Sequence, residues 1–81
     1  MDLLLKIVSP DKKIFEGEVQ QVSLPGTKGP FTILRHHAPI VSSLKKGKIT
    51  YMTVEGEKEL EITSGFIEMN KNRVTVCVTT I

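Results

Sequence analysis

The chain has 81 residues, 40% of them hydrophobic and 25% charged, with one cysteine, no tryptophan and a formal net charge of +2. That length makes a single domain over 1–81 with a thin core. The charge is too mild and too interspersed to argue for nucleic acid, and one cysteine excludes an internal disulfide or a cysteine-rich zinc site.

No apolar run approaches the ~20 residues of a membrane helix, and no signal peptide opens the chain, so a soluble cytoplasmic protein is expected. Leu3, Leu5 and Ile7 alternate with Asp2, Leu4, Lys6 and Val8, which predicts a first strand with one apolar face. Ser9-Pro10-Asp11 turns it. A short strand over Lys13–Glu16 ends at Gly17, and extended chain resumes from Glu18 to Leu24. Val19 is out of phase with Val22 and Leu24, which predicts a bulge near Gln20-Gln21. Pro25-Gly26 fits a type II turn, and Gly29-Pro30 makes a second stiff corner before the apolar Phe31-Thr32-Ile33-Leu34.

Ile40–Leu44 is extended and is closed by Lys45-Lys46-Gly47-Lys48. Ile49, Tyr51 and Thr53 then alternate along the next strand, which turns at Glu55-Gly56-Glu57-Lys58 into one holding Leu60 and Ile62. Ser64-Gly65 permits a bend, and Phe66–Met69 and Arg73–Thr79 form a last hairpin around Asn70-Lys71-Asn72. The chain stops at Ile81, just after this strand. Helical spacing is interrupted everywhere by glycine, proline or β-branched residues. The expected class is therefore all-β, a two-sheet antiparallel β-sandwich or flattened barrel of about ten short strands.

Chemistry concentrates between Leu24 and Val41, which holds both histidines and Pro25, Pro30 and Pro39. A loop held this stiffly is usually presenting something. His36 and His37 point to opposite sides of an extended chain and have no Cys, Asp or Glu in ligand spacing, so no metal is expected. No serine sits in a nucleophile elbow, and Glu55, Glu57, Glu59 and Glu61 read as a solvated strand face. The glycines around Lys28 lack the spacing and following helix of a phosphate loop. No cofactor is expected. Cys77 alternates with Val74, Val76 and Val78 as a small strand residue. The aromatic residues Phe15, Phe31, Tyr51 and Phe66 fall mostly in core phase, too few for a base-stacking platform.

The runs Leu24-Pro25-Gly26-Thr27-x-Gly29-x-Phe31-x-Ile33-Leu34-x-x-His37-Ala38-Pro39-Ile40-Val41, then Leu44-Lys45-x-Gly47, then Ser64-Gly65-Phe66-Ile67-Glu68-x-Asn70-x-Asn72 closely resemble the N-terminal β-sandwich of the ε subunit of F-type ATP synthases. The opening Leu5-Lys6-Ile7-Val8-Ser9-Pro10 and Phe15-x-Gly17-x-Val19 match too. The resemblance implies two packed antiparallel sheets and a non-catalytic central-stalk subunit. Such a subunit binds γ and the c-ring at the cytoplasmic face of a bacterial inner membrane, and helps couple proton flow to ATP synthesis. Carried over by position, it puts Gly29, Pro30, Phe31 and His37-Ala38-Pro39 at one end of the sandwich, facing the ring, and Val41 and Ser42 on the γ side.

Two departures matter. Pro30 stands where the family often has an acidic residue, and Thr32 and Arg35 where it usually has glycine and proline. Lys28, Arg35 or His36 are expected to supply the polar contacts instead. The family's C-terminal helical hairpin has no counterpart before Ile81, so a coupling subunit without ATP-binding or inhibitory helices is expected.

Apolar residues on the second strand face, such as Leu4, Val8, Val54 and Ile67, are expected to lie under γ. The competing reading is a free-standing β-barrel module that binds oligonucleotide or oligosaccharide through Lys12, Lys13, Lys45, Lys46 and Lys48. A histidine-dependent hydrolase fits worse, since no nucleophile and base are paired.

Overall fold

The computed structural model describes residues 3–80; Asp2 and Ile81 lie outside the described residues. Nine strands follow one another: β1 (Leu3–Val8), β2 (Lys13–Val19), β3 (Gln21–Gly26), β4 (Gly29–Leu34), β5 (Ile40–Leu44), β6 (Gly47–Thr53), β7 (Gly56–Ile62), β8 (Ser64–Asn70) and β9 (Arg73–Thr79). Neighbours run β2-β1-β9-β8-β5-β3-β6-β7, and β4 pairs along the other edge of β3. The sheet turns its corner where Gly26 of β3 meets Leu44 of β5. It then curls until Phe15 of β2 lies against Tyr51 of β6, with ring centroids 4.7 Å apart. The result is two layers, β2-β1-β9-β8-β5 over β4-β3-β6-β7, as the all-β sandwich expectation requires.

One pairing departs from the antiparallel expectation: β1 and β9 run parallel, with Leu5 beside Val74 and Ile7 beside Val76. Parallel neighbours need a long connection, and here the rest of the domain supplies it.

Alternation along each strand fills the interior. Leu3, Leu5, Ile7, Val22, Ile33, Ile49, Ile67 and Val76 are all 0% exposed. Each such side chain contributes about 1.5–3 kcal/mol by leaving water. Ile67, expected on the outer face, belongs to this core, because its neighbours in register are Ser42 and the buried Val76. Phe66, read as core phase, faces outward at 52% exposure.

Several turns also fall elsewhere than expected. β2 runs through Gly17 to Val19, and the phase change comes from a break at Gln20, whose N–H donates to the Met52 carbonyl at 2.9 Å. The register irregularity lies instead between Ile7 and Val8.

Pro25-Gly26 is not a turn: it ends β3, paired with Pro30 and Gly29, and the chain reverses at Thr27-Lys28. Pro25 fits there because it lies between the stretch of β3 paired with β6 and the single pairing with β5, where no ladder donor is needed. At Gly26 a Cβ would lie 2.6 Å from the Gly29 carbonyl oxygen, and Gly29 carries the positive φ of 131° that closes the hairpin. The later bend falls on Thr63, one residue before Ser64-Gly65, and the β6–β7 reversal falls on Val54-Glu55.

Candidate partner-binding surfaces

Strand directions sort the loops into two ends. The β1–β2 turn, Thr27-Lys28, Lys45-Lys46 and Thr63 share one; Gln20, Arg35–Pro39, Val54-Glu55 and Lys71-Asn72 share the other. The residues expected at a single ring-facing end are therefore separated. Lys28, Gly29, Pro30 and Phe31 lie at or beside the β3–β4 hairpin, while Arg35, His36, His37, Ala38 and Pro39 follow the far end of β4. The six residues of β4 separate Lys28 from Arg35, about 20 Å at roughly 3.3 Å per residue, although only Thr32, Ile33 and Leu34 separate Phe31 from Arg35.

The hairpin end is tied to its neighbour. The Thr27 N–H donates to the Ser43 carbonyl at 3.1 Å, the Lys45 N–H donates to the Pro25 carbonyl at 2.9 Å, and the Thr27 and Ser43 hydroxyls lie 2.8 Å apart. Lys28 and Pro30 are exposed, and Phe31 is half-buried against the core.

At the other end, His36 has a φ of 67°, and its N–H donates to the Asn72 side-chain oxygen at 2.8 Å. The His37 Nδ1–H donates to the Ala38 carbonyl at 2.6 Å, and the His37 backbone N–H donates to Leu34 at 3.1 Å. Among the described residues no three His, Cys, Asp or Glu side chains gather as metal ligands. Glu59 and Glu55 pair with Lys48 and Lys58 at 3.3 and 3.6 Å, which accounts for part of the glutamate face. Lys13 hydrogen-bonds Glu16 and, by that bond and its charge, holds the carboxyl below its usual range.

Asn72 thus has two duties: it takes φ 61° beside Lys71 at 51°, the left-handed pair of a tight hairpin, and it tethers His36. Asn72→Ala is expected to lower stability by about 2 kcal/mol, from left-handed strain and a lost hydrogen bond. Asn72→Gly should be milder, because it relieves the strain alone. Thermal denaturation of the pair checks this, and equal melting temperatures for the two variants would contradict it.

The outer face of the β5-β8-β9-β1 layer carries the clearest apolar feature. Register aligns Ser43, Phe66, Cys77 and Val8 in one row, with Val41, Glu68, Thr75 and Lys6 in the next. Four strands at ~4.8 Å make that row about 14 Å long. Val41 is 75% exposed and Leu4 40%. Val8, Pro10, Phe66, Cys77 and Thr79 line a shallow groove of about 490 Å³ at one end of the row.

Ser42 points the other way, in register with buried Ile67. Val54 lies in a turn, away from this face. Phe66 was legible in principle: it is out of phase with Ile67 and Met69, both buried.

The family described as ATP synthase, Delta/Epsilon chain, beta-sandwich domain matches residues 2–81. The chain is 43% identical over 77 residues to the ATP synthase epsilon chain of Desulfitobacterium hafniense, covering 94% of this chain and 58% of that protein. It is 34% identical over 74 residues to the ATP synthase epsilon chain of Caulobacter vibrioides, covering 91% of this chain and 86% of that protein. Among solved structures, a chain of the Euglena gracilis mitochondrial ATP synthase OSCP/F1/c-ring assembly superposes with a TM-score of 0.88 at 20% identity, covering 95% of this chain and 50% of that one. The chain thus spans just over half the length of the Desulfitobacterium relative.

Proposed function

The chain belongs to the ATP synthase delta/epsilon β-sandwich family, and from that membership we propose that it serves as a non-catalytic central-stalk subunit of a proton-translocating F-type ATP synthase. In this reading it binds γ and the c-ring at the cytoplasmic face of a bacterial inner membrane and helps transmit rotation between proton flow and ATP synthesis. No cofactor takes part.

The observation that carries the reading is the match over 2–81 together with the apolar row of half-buried Val8 and Cys77 and exposed Phe66, beside exposed Val41. Exposed apolar surface of this kind suits a permanent protein contact. In the proposal γ lies over that row and Val41, while the ring meets the hairpin end at Lys28, Gly29, Pro30 and Phe31. Arg35–Pro39 leads directly into Val41, so it is placed with the γ face. Ladders and cross-turn hydrogen bonds suit torque transmission, because a surface already ordered loses less entropy on docking and deforms less under load.

Co-expression of a tagged chain with γ and c from its own source tests the proposal. Retention of both partners at moderate salt is the expected result. Failure to retain either, with salt-sensitive binding of single-stranded nucleic acid in their place, would favour the free-standing binding module instead.

A further inference from the structure

Left-handed backbone outside glycine is concentrated at one joint. Among the described residues it occurs at His36, Lys71 and Asn72, with φ of 67°, 51° and 61°. These residues belong to two connections distant in sequence, β4–β5 and β8–β9, which meet because β5 pairs with β8 and sets Ile40 opposite Met69. The hydrogen bond from the His36 N–H to the Asn72 side-chain oxygen joins them.

Packing contributes little to the Arg35–Pro39 connection. Arg35, His36, Ala38 and Pro39 are exposed, and His37 is half-buried. Hydrogen bonds shape it instead: the tether to Asn72, the His37 N–H on the Leu34 carbonyl and the His37 Nδ1–H on the Ala38 carbonyl. Of these three, the tether alone fastens the connection to another part of the fold. Left-handed backbone is sterically costly at a histidine, so His36 holds it only while something holds His36. The connection then delivers Pro39 and Val41 to a shallow groove of about 350 Å³, bordered across from them by Glu68 and Asn70.

We infer that Asn72 is a positioning residue for the partner contact: its side-chain oxygen presets the Arg35–Pro39 connection, and the approach to Val41, in the conformation that γ meets. The inference rests on the reading that γ lies over this face. A loop that samples several conformations binds with an affinity reduced by the fraction of time it spends in the competent one, and an intact tether raises that fraction.

Two variants separate the tether from the turn. Asn72→Gly accepts φ 61° without strain but has no side-chain oxygen, whereas Asn72→Asp keeps an oxygen there and tolerates the same backbone. Amide hydrogen exchange at His36, read by NMR, and the rate and affinity of binding to purified γ are measured for both, at a temperature where circular dichroism shows both folded. The glycine variant should speed exchange at His36 and weaken γ binding about two- to tenfold, mainly through slower association, and the aspartate variant should restore both. A role confined to the hairpin turn would leave γ binding unchanged. Faster His36 exchange in Asn72→Gly with wild-type affinity for γ overturns the inference and leaves the stalk reading standing. Equal His36 exchange in all three chains, or failure of Asn72→Asp to restore binding, does the same. Absence of γ binding by the wild-type chain overturns both.

Discussion

Truncating Ile67 to alanine is expected to lower the stability of this domain by about 2–5 kcal/mol, while the same truncation of its neighbour Phe66 should cost about 1 kcal/mol or less. The two residues are adjacent on β8 and face opposite sides: Ile67 is 0% exposed between Ser42 and Val76, and Phe66 is 52% exposed between Ser43 and Cys77. Removing Ile67 leaves a cavity in a packed layer, whereas removing Phe66 mostly exchanges one solvated surface for another. Since small domains are stable by only about 5–15 kcal/mol, the Ile67 variant loses a large share of the total. Urea denaturation reads both, as a lowered midpoint at unchanged slope for Ile67→Ala. A larger loss for Phe66→Ala than for Ile67→Ala would mean that β8 is registered one residue away from its described pairing.

Binding should respond in the reverse order. Val41→Asp combined with Phe66→Asp is expected to weaken association with γ by about 10- to 100-fold, the range of a few disrupted anchor contacts, and to change the stability of the isolated domain by about 1 kcal/mol or less. The reason is desolvation: an aspartate on this face is solvated in the free chain and would have to be stripped of water beneath an apolar partner. Titration of purified γ against each chain measures the effect. Undiminished affinity in the double variant would move the γ contact off the β5-β8-β9-β1 face.

Much of this arrangement was legible in the order of residues, for identifiable reasons. Leu3, Leu5 and Ile7, or Val74, Val76 and Val78, alternate without interruption, and strict period-2 spacing leaves no other way to bury them. The Lys71-Asn72 reversal was readable because asparagine tolerates positive φ. What escaped depends on partners distant in sequence. The parallel β1–β9 pairing joins the first and last strands, and no local pattern encodes it. Pro25-Gly26 has the local chemistry of a turn, yet pairing with Gly29 and Pro30 keeps it in a strand and moves the reversal to Thr27-Lys28.

The separation of Lys28 from Arg35–Pro39 escaped for a related reason. The two are close in sequence, but β4 starts at Gly29 and runs to Leu34, so Lys28 and Arg35 fall at its opposite ends. Ile67 and Phe66 show the narrowest margin, since a shift of one residue exchanges core for surface.

Cys77, the chain's one cysteine, gives the most direct test of the central claim that a protein partner covers the outer face. Its half-buried thiol lies between Phe66 and Val8 in the apolar row and needs no substitution to act as a probe. The measurement is the rate at which a maleimide reagent labels Cys77 in the free chain and in the chain co-purified with γ. Covering of this face predicts that assembly with γ slows labelling severalfold or stops it. Equal rates in the free chain and in the co-purified complex would show that γ docks elsewhere, and would contradict the account.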